Sequence, residues 1–168
     1  MTVSPSVSES AISVNPLDMI EQIVEVNEWT FDRRNEQEMA AQAPGRWCDY
    51  SLYFSWNEEL GAMHFTCAFD MRVPNDKRRV VRELLGLVNE KLWLGHFGLW
   101  QEEGLPMFRH ALPLRGVKGP SAEQIGDLLD TALVECERFY PAFQYVIWGG
   151  KAPEDALAAA LVDTVGEA

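Results

Sequence analysis

Three histidines and three cysteines are the residues of this chain best suited to acid–base, nucleophilic or metal chemistry. Imidazoles titrate near neutral pH and are the usual choice for proton transfer or zinc binding. His64, His96 and His110 include no pair four apart on a helix, and no HExxH occurs, so a helical metal site is not encoded. A site assembled from all three across neighbouring strands stays open. His96 stands out through its neighbours. In the stretch NEKLWLGHFGLWQEEG, Asn89 to Gly104, it lies between Gly95 and Gly98 with Trp93 and Trp100 on either side. That setting suits a ligand pocket, and equally a junction where a helix ends and a strand begins.

Cys48, Cys67 and Cys136 share no short spacing, and each falls in an apolar pattern. They read as small buried hydrophobes rather than a CxxC metal or redox motif. No GxSxG nucleophile is present. The loop LRGVKGPS, Leu114 to Ser121, sets Gly, Lys and Ser ahead of a helix start, where an anion can sit, but it lacks the phosphate-loop spacing. No catalytic residue, cofactor or metal is expected on these grounds.

The elements that would position these groups follow from periodicity. Residues 1–14 are Ser-rich without a sustained period and read as a disordered tail, leaving residues 15–168 as one domain. Asn15-Pro16 starts a helix, with Leu17, Ile20 and Val24 on its apolar stripe. Residues 30–44 suggest a short strand or hairpin of weak register. RWCDYSLYFSW then alternates, with Cys48, Tyr50, Leu52, Phe54 and Trp56 on one face and Trp47, Asp49, Ser51, Tyr53 and Ser55 on the other. GAMHFTCAFDM alternates again, with Met63, Phe65, Cys67, Phe69 and Met71 together. The two form an antiparallel hairpin with one face on a core.

A helix is expected over 76–94, capped by Asn75 or Asp76 and ended by Gly95 in the left-handed conformation. Its apolar stripe is wider than a minimal amphipathic face. A second hairpin follows, with Phe97 and Leu99 on one face, and Phe108, His110, Leu112 and Leu114 on one face of its partner. Pro113 marks an edge or a break there. Ser121 and Gln124 have capping-box spacing at the start of a long helix, which Pro141 should kink or split. A last helix starts at Pro153. The order α-β-β-β-α-β-β-α-α gives an α+β fold, an antiparallel sheet of about five strands packed with helices.

Charge narrows the partners. The chain carries 26 acidic against 14 basic residues, a net charge of −12. Binding to nucleic acid or an anionic membrane relies on Lys and Arg, so neither is expected as a partner. The one dense basic run, DKRRVVR at 76–82, suits a solvated helix start or a local anion site. The N-terminus lacks the basic and apolar regions of a secretory signal, and no apolar run has membrane-spanning length, so the cytoplasm is expected. Six Trp residues cannot all be interior. Parity sets Trp47 and Tyr53 on the face opposite the core, and Trp100 opposes Phe97 and Leu99. These three aromatics are candidates for binding protein. Val81 and Leu85, on the wide helical stripe, are a second candidate surface. Trp93, His96 and His110 are candidates for a small-molecule pocket between sheet and helices.

The segments NEKLWLGHF (89–97), FRHALPL (108–114) and ERFYPAFQYVIWGGKAPEDAL (137–157) resemble the bacterial YbjN family. That family is described as sensory transduction regulators. The resemblance runs in the same order from Asn15 to the last helix. It implies a fold similar to type III secretion chaperones, small α+β proteins that generally form homodimers and bind other proteins. It supplies no catalytic residues and no cofactor. The expectation is a non-enzymatic regulator or chaperone-like protein that acts through protein contacts, as a homodimer with a further protein partner. A small-molecule sensor is the alternative, and a hydrolase or metalloenzyme using His64, His96 or His110 a third reading.

Overall fold

The computed structural model describes residues 14–165, with side chains to residue 162. Apart from Val14, the expected N-terminal tail lies outside the described residues. Helix α1, Pro16–Val26, starts as its sequence dictates: the Asn15 side chain accepts the Leu17 N–H at 2.9 Å and Pro16 occupies the first turn. Leu17, Ile20 and Val24 are fully buried.

The ambiguous segment 30–44 resolves into two strands, β1 (Phe31–Arg33) and β2 (Glu38–Pro44). Strands β3 (Asp49–Asn57) and β4 (Ala62–Ala68) follow, then helix α2 (Arg78–Asn89), β5 (His96–Trp100), β6 (Leu105–Pro113), α3 (Ala122–Ile147) and α4 (Pro153–Val165). The fold is α+β, with six strands rather than five in the order β1-β2-β3-β4-β6-β5. Every pairing is antiparallel. The second hairpin joins the first through β4 and β6, where Phe65 opposes His110 and Cys67 opposes Phe108.

Two helix boundaries differ from expectation. α2 begins at Arg78 after a short 3-10 turn, Asn75–Lys77, and no side chain caps it. It ends at Asn89, not 94, because the Asn89 amide turns to the backbone of Phe97. Gly95 adopts φ +69°, but as the bend into β5 rather than the helix cap. α3 runs unbroken through Pro141. A proline inside a helix forfeits one backbone hydrogen bond; here Pro141, Tyr140, Ala142 and Phe143 are all buried, and that packing offsets the loss. The capping box at its start is closed, with Ser121 Oγ accepting the Gln124 N–H at 3.0 Å and Gln124 Oε1 accepting the Ser121 N–H at 2.8 Å.

One apolar cluster joins the helix stripes to one face of the sheet. Leu17, Val81, Leu84, Ile125, Cys136 and Phe143 meet Met39, Leu52, Phe54, Phe65, Phe97 and Phe108 there. Aromatic rings run through it from Phe54 to Phe65 and Phe108, then from Phe97 to Phe69 and Tyr140. The opposite sheet face is solvent-exposed: Tyr53, Ser55, His64, Arg109, Ala111, His96 and Trp100 are all open among the described residues. The molecule is therefore two-layered, with one sheet face covered and one bare.

Candidate protein-binding surface

Strand register arranges the bare face in rows. One crosses all six strands as Asp32, Ala40, Tyr53, Thr66, Arg109 and His96. Beside it run Gln42, Ser51, Ala68, Met107 and Gly98 on one flank and Glu38, Ser55, His64 and Ala111 on the other. Tyr53, Thr66, Trp100, Met107 and Arg109 line a shallow groove of about 290 Å³. Tyr53 and Trp100 are 37% and 39% exposed, so each ring has one side on the sheet and one in solvent. Met107 forms the floor, only 9% exposed. Arg109 makes no ion pair or side-chain hydrogen bond among the described residues. Large amphipathic rings, a buried methionine and a free guanidinium are the residue types that dominate protein interfaces.

Of the aromatic candidates, Tyr53 and Trp100 share this face and Trp47 does not. Trp47 precedes β3, where two-residue alternation has no force, and stacks on Tyr140 of α3 at 6.3 Å with ring planes 5° apart. It sits at the rim of the helical layer. Val81 and Leu85 are also corrected: they are 0% and 8% exposed. The wide stripe of α2 is covered within the chain, by α3, α4 and β5, and offers no partner surface.

The expected pocket of Trp93, His96 and His110 is not formed. Trp93 is 74% exposed. His96 pairs with Arg109 on the bare face, whereas His110 opposes Phe65 on the helix-facing side. Burial lowers the His110 pKa, and neighbouring His96 adds to the shift. His64 opposes Ser55 on the bare face, so the three imidazoles are split between the two sides of the sheet. Burial also raises the thiol pKa of Cys48, to about 11, and that of Cys136. Cys136 and Cys67 lie buried with their sulfurs 3.6 Å apart. In the basic run, Arg78 is tied down, donating to the Gln101 carbonyl at 2.6 Å. The Leu114–Ser121 loop ends in the closed capping box, which occupies donors an anion would need.

The model of the family described as "YbjN: Putative bacterial sensory transduction regulator" matches residues 16–145. The chain belongs to the YbjN family. Among solved structures it is similar to the crystal structure of YbjN from E. coli, described as "a putative transcription regulator". The TM-score is 0.51 at 13% identity, covering 73% of this chain and 87% of that one, a likeness of fold. No curated protein matches.

The stretch that carries much of the YbjN resemblance also blocks one sheet edge at a single residue. Asn89 Nδ2 donates to the Phe97 carbonyl at 3.0 Å, and the Phe97 N–H donates to Asn89 Oδ1 at 2.7 Å. An amide side chain thus occupies the outward N–H and C=O of Phe97 on edge strand β5, as a neighbouring strand would. Exposed edges invite pairing with other chains, and proteins commonly block them. Asn89→Ala is expected to lower stability by roughly 1–3 kcal/mol, since both Phe97 groups lose their partner. It should also raise light scattering on standing; thermal melts and turbidity check both.

Thr66, Met107 and Arg109 complete that face and were not among the sequence candidates. Parity with Tyr53 identifies Thr66 once β3 and β4 are read as a hairpin. Met107 and Arg109 need the register of β6 on β4, which joins residues about forty apart along the chain and has no local sequence signal.

Proposed function

We propose that this YbjN-family protein is a non-enzymatic regulator, chaperone-like in that it acts by binding other protein chains, and that it works as a homodimer in the cytoplasm. The observation that carries the reading is the bare sheet face, with Tyr53, Trp100 and Met107 around Arg109, which has no partner among the described residues. A monomer that leaves such a face in water forgoes the stabilisation of covering it. Protein fits the face better than nucleic acid or an anionic membrane, because the chain carries a net charge of −12 and the face offers Asp32 and Glu38 on β1 and β2 as well as Arg109 on β6. No described helix is long and apolar enough to cross a membrane.

The test is photo-crosslinking in living cells, with the reactive residue at Tyr53 or Trp100 and, as control, at Val134, 61% exposed on α3. Protein adducts are expected from the two sheet positions and not from the helix. Adducts from Val134 alone, or from none of the three, would remove the reading.

A further inference from the structure

Resting on the reading that a protein chain covers the bare face, we propose that its occupant is a second copy of this chain. The two sheets pack face to face about a two-fold axis that runs along the strands between β3 and β4. Three observations point there. The first is symmetry of layout: with the order β1-β2-β3-β4-β6-β5, that line leaves three strands on either side. The second is the sorting of charge. The acids that the strands project from this face, Asp32, Glu38 and Asp49, stand on β1, β2 and β3, with Asp32 also 3.8 Å from Arg34 just past β1, while Arg109 stands on β6, flanked by the imidazoles of His64 on β4 and His96 on β5. Rotation about the axis lays the acidic half of each copy on the half of the other that carries Arg109. Asp32 meets the partner's His96, next to the partner's Arg109, while Tyr53 meets the partner's Thr66. An axis across the strands along this row would instead oppose Asp32 to the partner's Asp32. An acidic peptide would satisfy Arg109 but face Asp32 and Glu38, and a basic one the reverse; a self-complementary surface satisfies both halves at once.

The third observation is area. Six strands at a spacing of about 4.8 Å span about 24 Å, and the central strands run about 23 Å along their length. Two such faces bury roughly 1,100 Å² in flat projection, past the threshold of about 1,000 Å² for a specific interface. Small side chains at Ala40, Ser51, Ser55, Ala68, Gly98 and Ala111 leave the face flat enough for a second sheet to approach.

Light scattering coupled to size exclusion at micromolar concentration tests the proposal. The wild type should have twice the chain mass. Thr66→Arg, beside the axis, should give a monomer with unchanged circular dichroism, since Thr66 lies on the bare face. Asp32→Lys and Arg109→Glu should each weaken dimerisation about tenfold, because the symmetry repeats each unfavourable contact. The double swap should restore most of the affinity. A dimer that survives all three single substitutions uses another face, which overturns this inference and leaves the homodimer reading standing. Sensitivity to Thr66→Arg without rescue in the double swap overturns the proposed axis. A wild type that stays monomeric overturns both.

Discussion

Phe97→Ala is expected to lower the unfolding free energy by about 3–5 kcal/mol, the range for removing a large aromatic side chain from a core. Phe97 is 2% exposed, and its ring centre lies 5.7 to 6.1 Å from those of Phe108, Phe69, Phe139 and Phe143. Those neighbours come from β6, from the segment after β4, and twice from α3. The ring therefore holds an edge strand to the long helix. Several of its contacts are edge-on, an arrangement that adds about 0.5–1.5 kcal/mol beyond area alone. Against a total stability of about 5–15 kcal/mol the loss is severe. Urea denaturation measures it, with Leu99→Ala as the reference. Leu99 shares the inward parity of β5 but is half-buried, so its truncation should cost markedly less. Equal losses at Phe97 and Leu99 would mean that the ring cluster is not the joint between β5 and α3.

What the sequence disclosed depended on how local the cause was. The Asn15 cap, the Ser121–Gln124 capping box and the inward faces of β3 and β4 were legible, because each is set by residues within one turn or one strand. β1 was not, since its three residues are too few to show alternation. The fate of α2 depended on a distant element. Its broad stripe looked like a partner surface because nothing near it in sequence covers Val81 or Leu85. The cover includes α4, whose buried residues among those described are Pro153, Ala156, Leu157 and Ala160, mostly small side chains that advertise no strong apolar face. Half of the candidate surface was legible in the same sense: parity gave Tyr53 and Trp100, but only the β4–β6 register sets Met107 and Arg109 beside them. Trp47 misled for the opposite reason, a strand rule applied two residues before the strand begins.

Gly95→Ala and Gly98→Ala are expected to differ in sign, although both glycines border His96. Gly95 has φ +69°, a conformation that costs an L-residue roughly 1–2 kcal/mol. Space is the larger difficulty. A methyl group there would overlap the Phe108 ring and stand 2.9 Å from the Arg109 carbonyl oxygen. Phe108 is fully buried against Phe97 and Phe65, so the ring cannot yield without disturbing the core. Forced overpacking of that kind adds roughly 1–3 kcal/mol, which brings the expected loss to about 2–5 kcal/mol. At Gly98 a methyl group meets nothing within 4 Å, and the residue lies inside β5 on the bare face. Alanine there should be neutral or should stabilise by up to about 1 kcal/mol, because glycine in a strand loses more backbone freedom on folding. Denaturant midpoints of the two variants decide the matter. A tolerated Gly95→Ala would show that the bend into β5 does not need the left-handed conformation. A large loss at Gly98 would show that the bare face is covered even within one chain. The expected pattern makes the glycines around His96 a matter of backbone geometry and close packing, with no catalytic role required of the histidine between them.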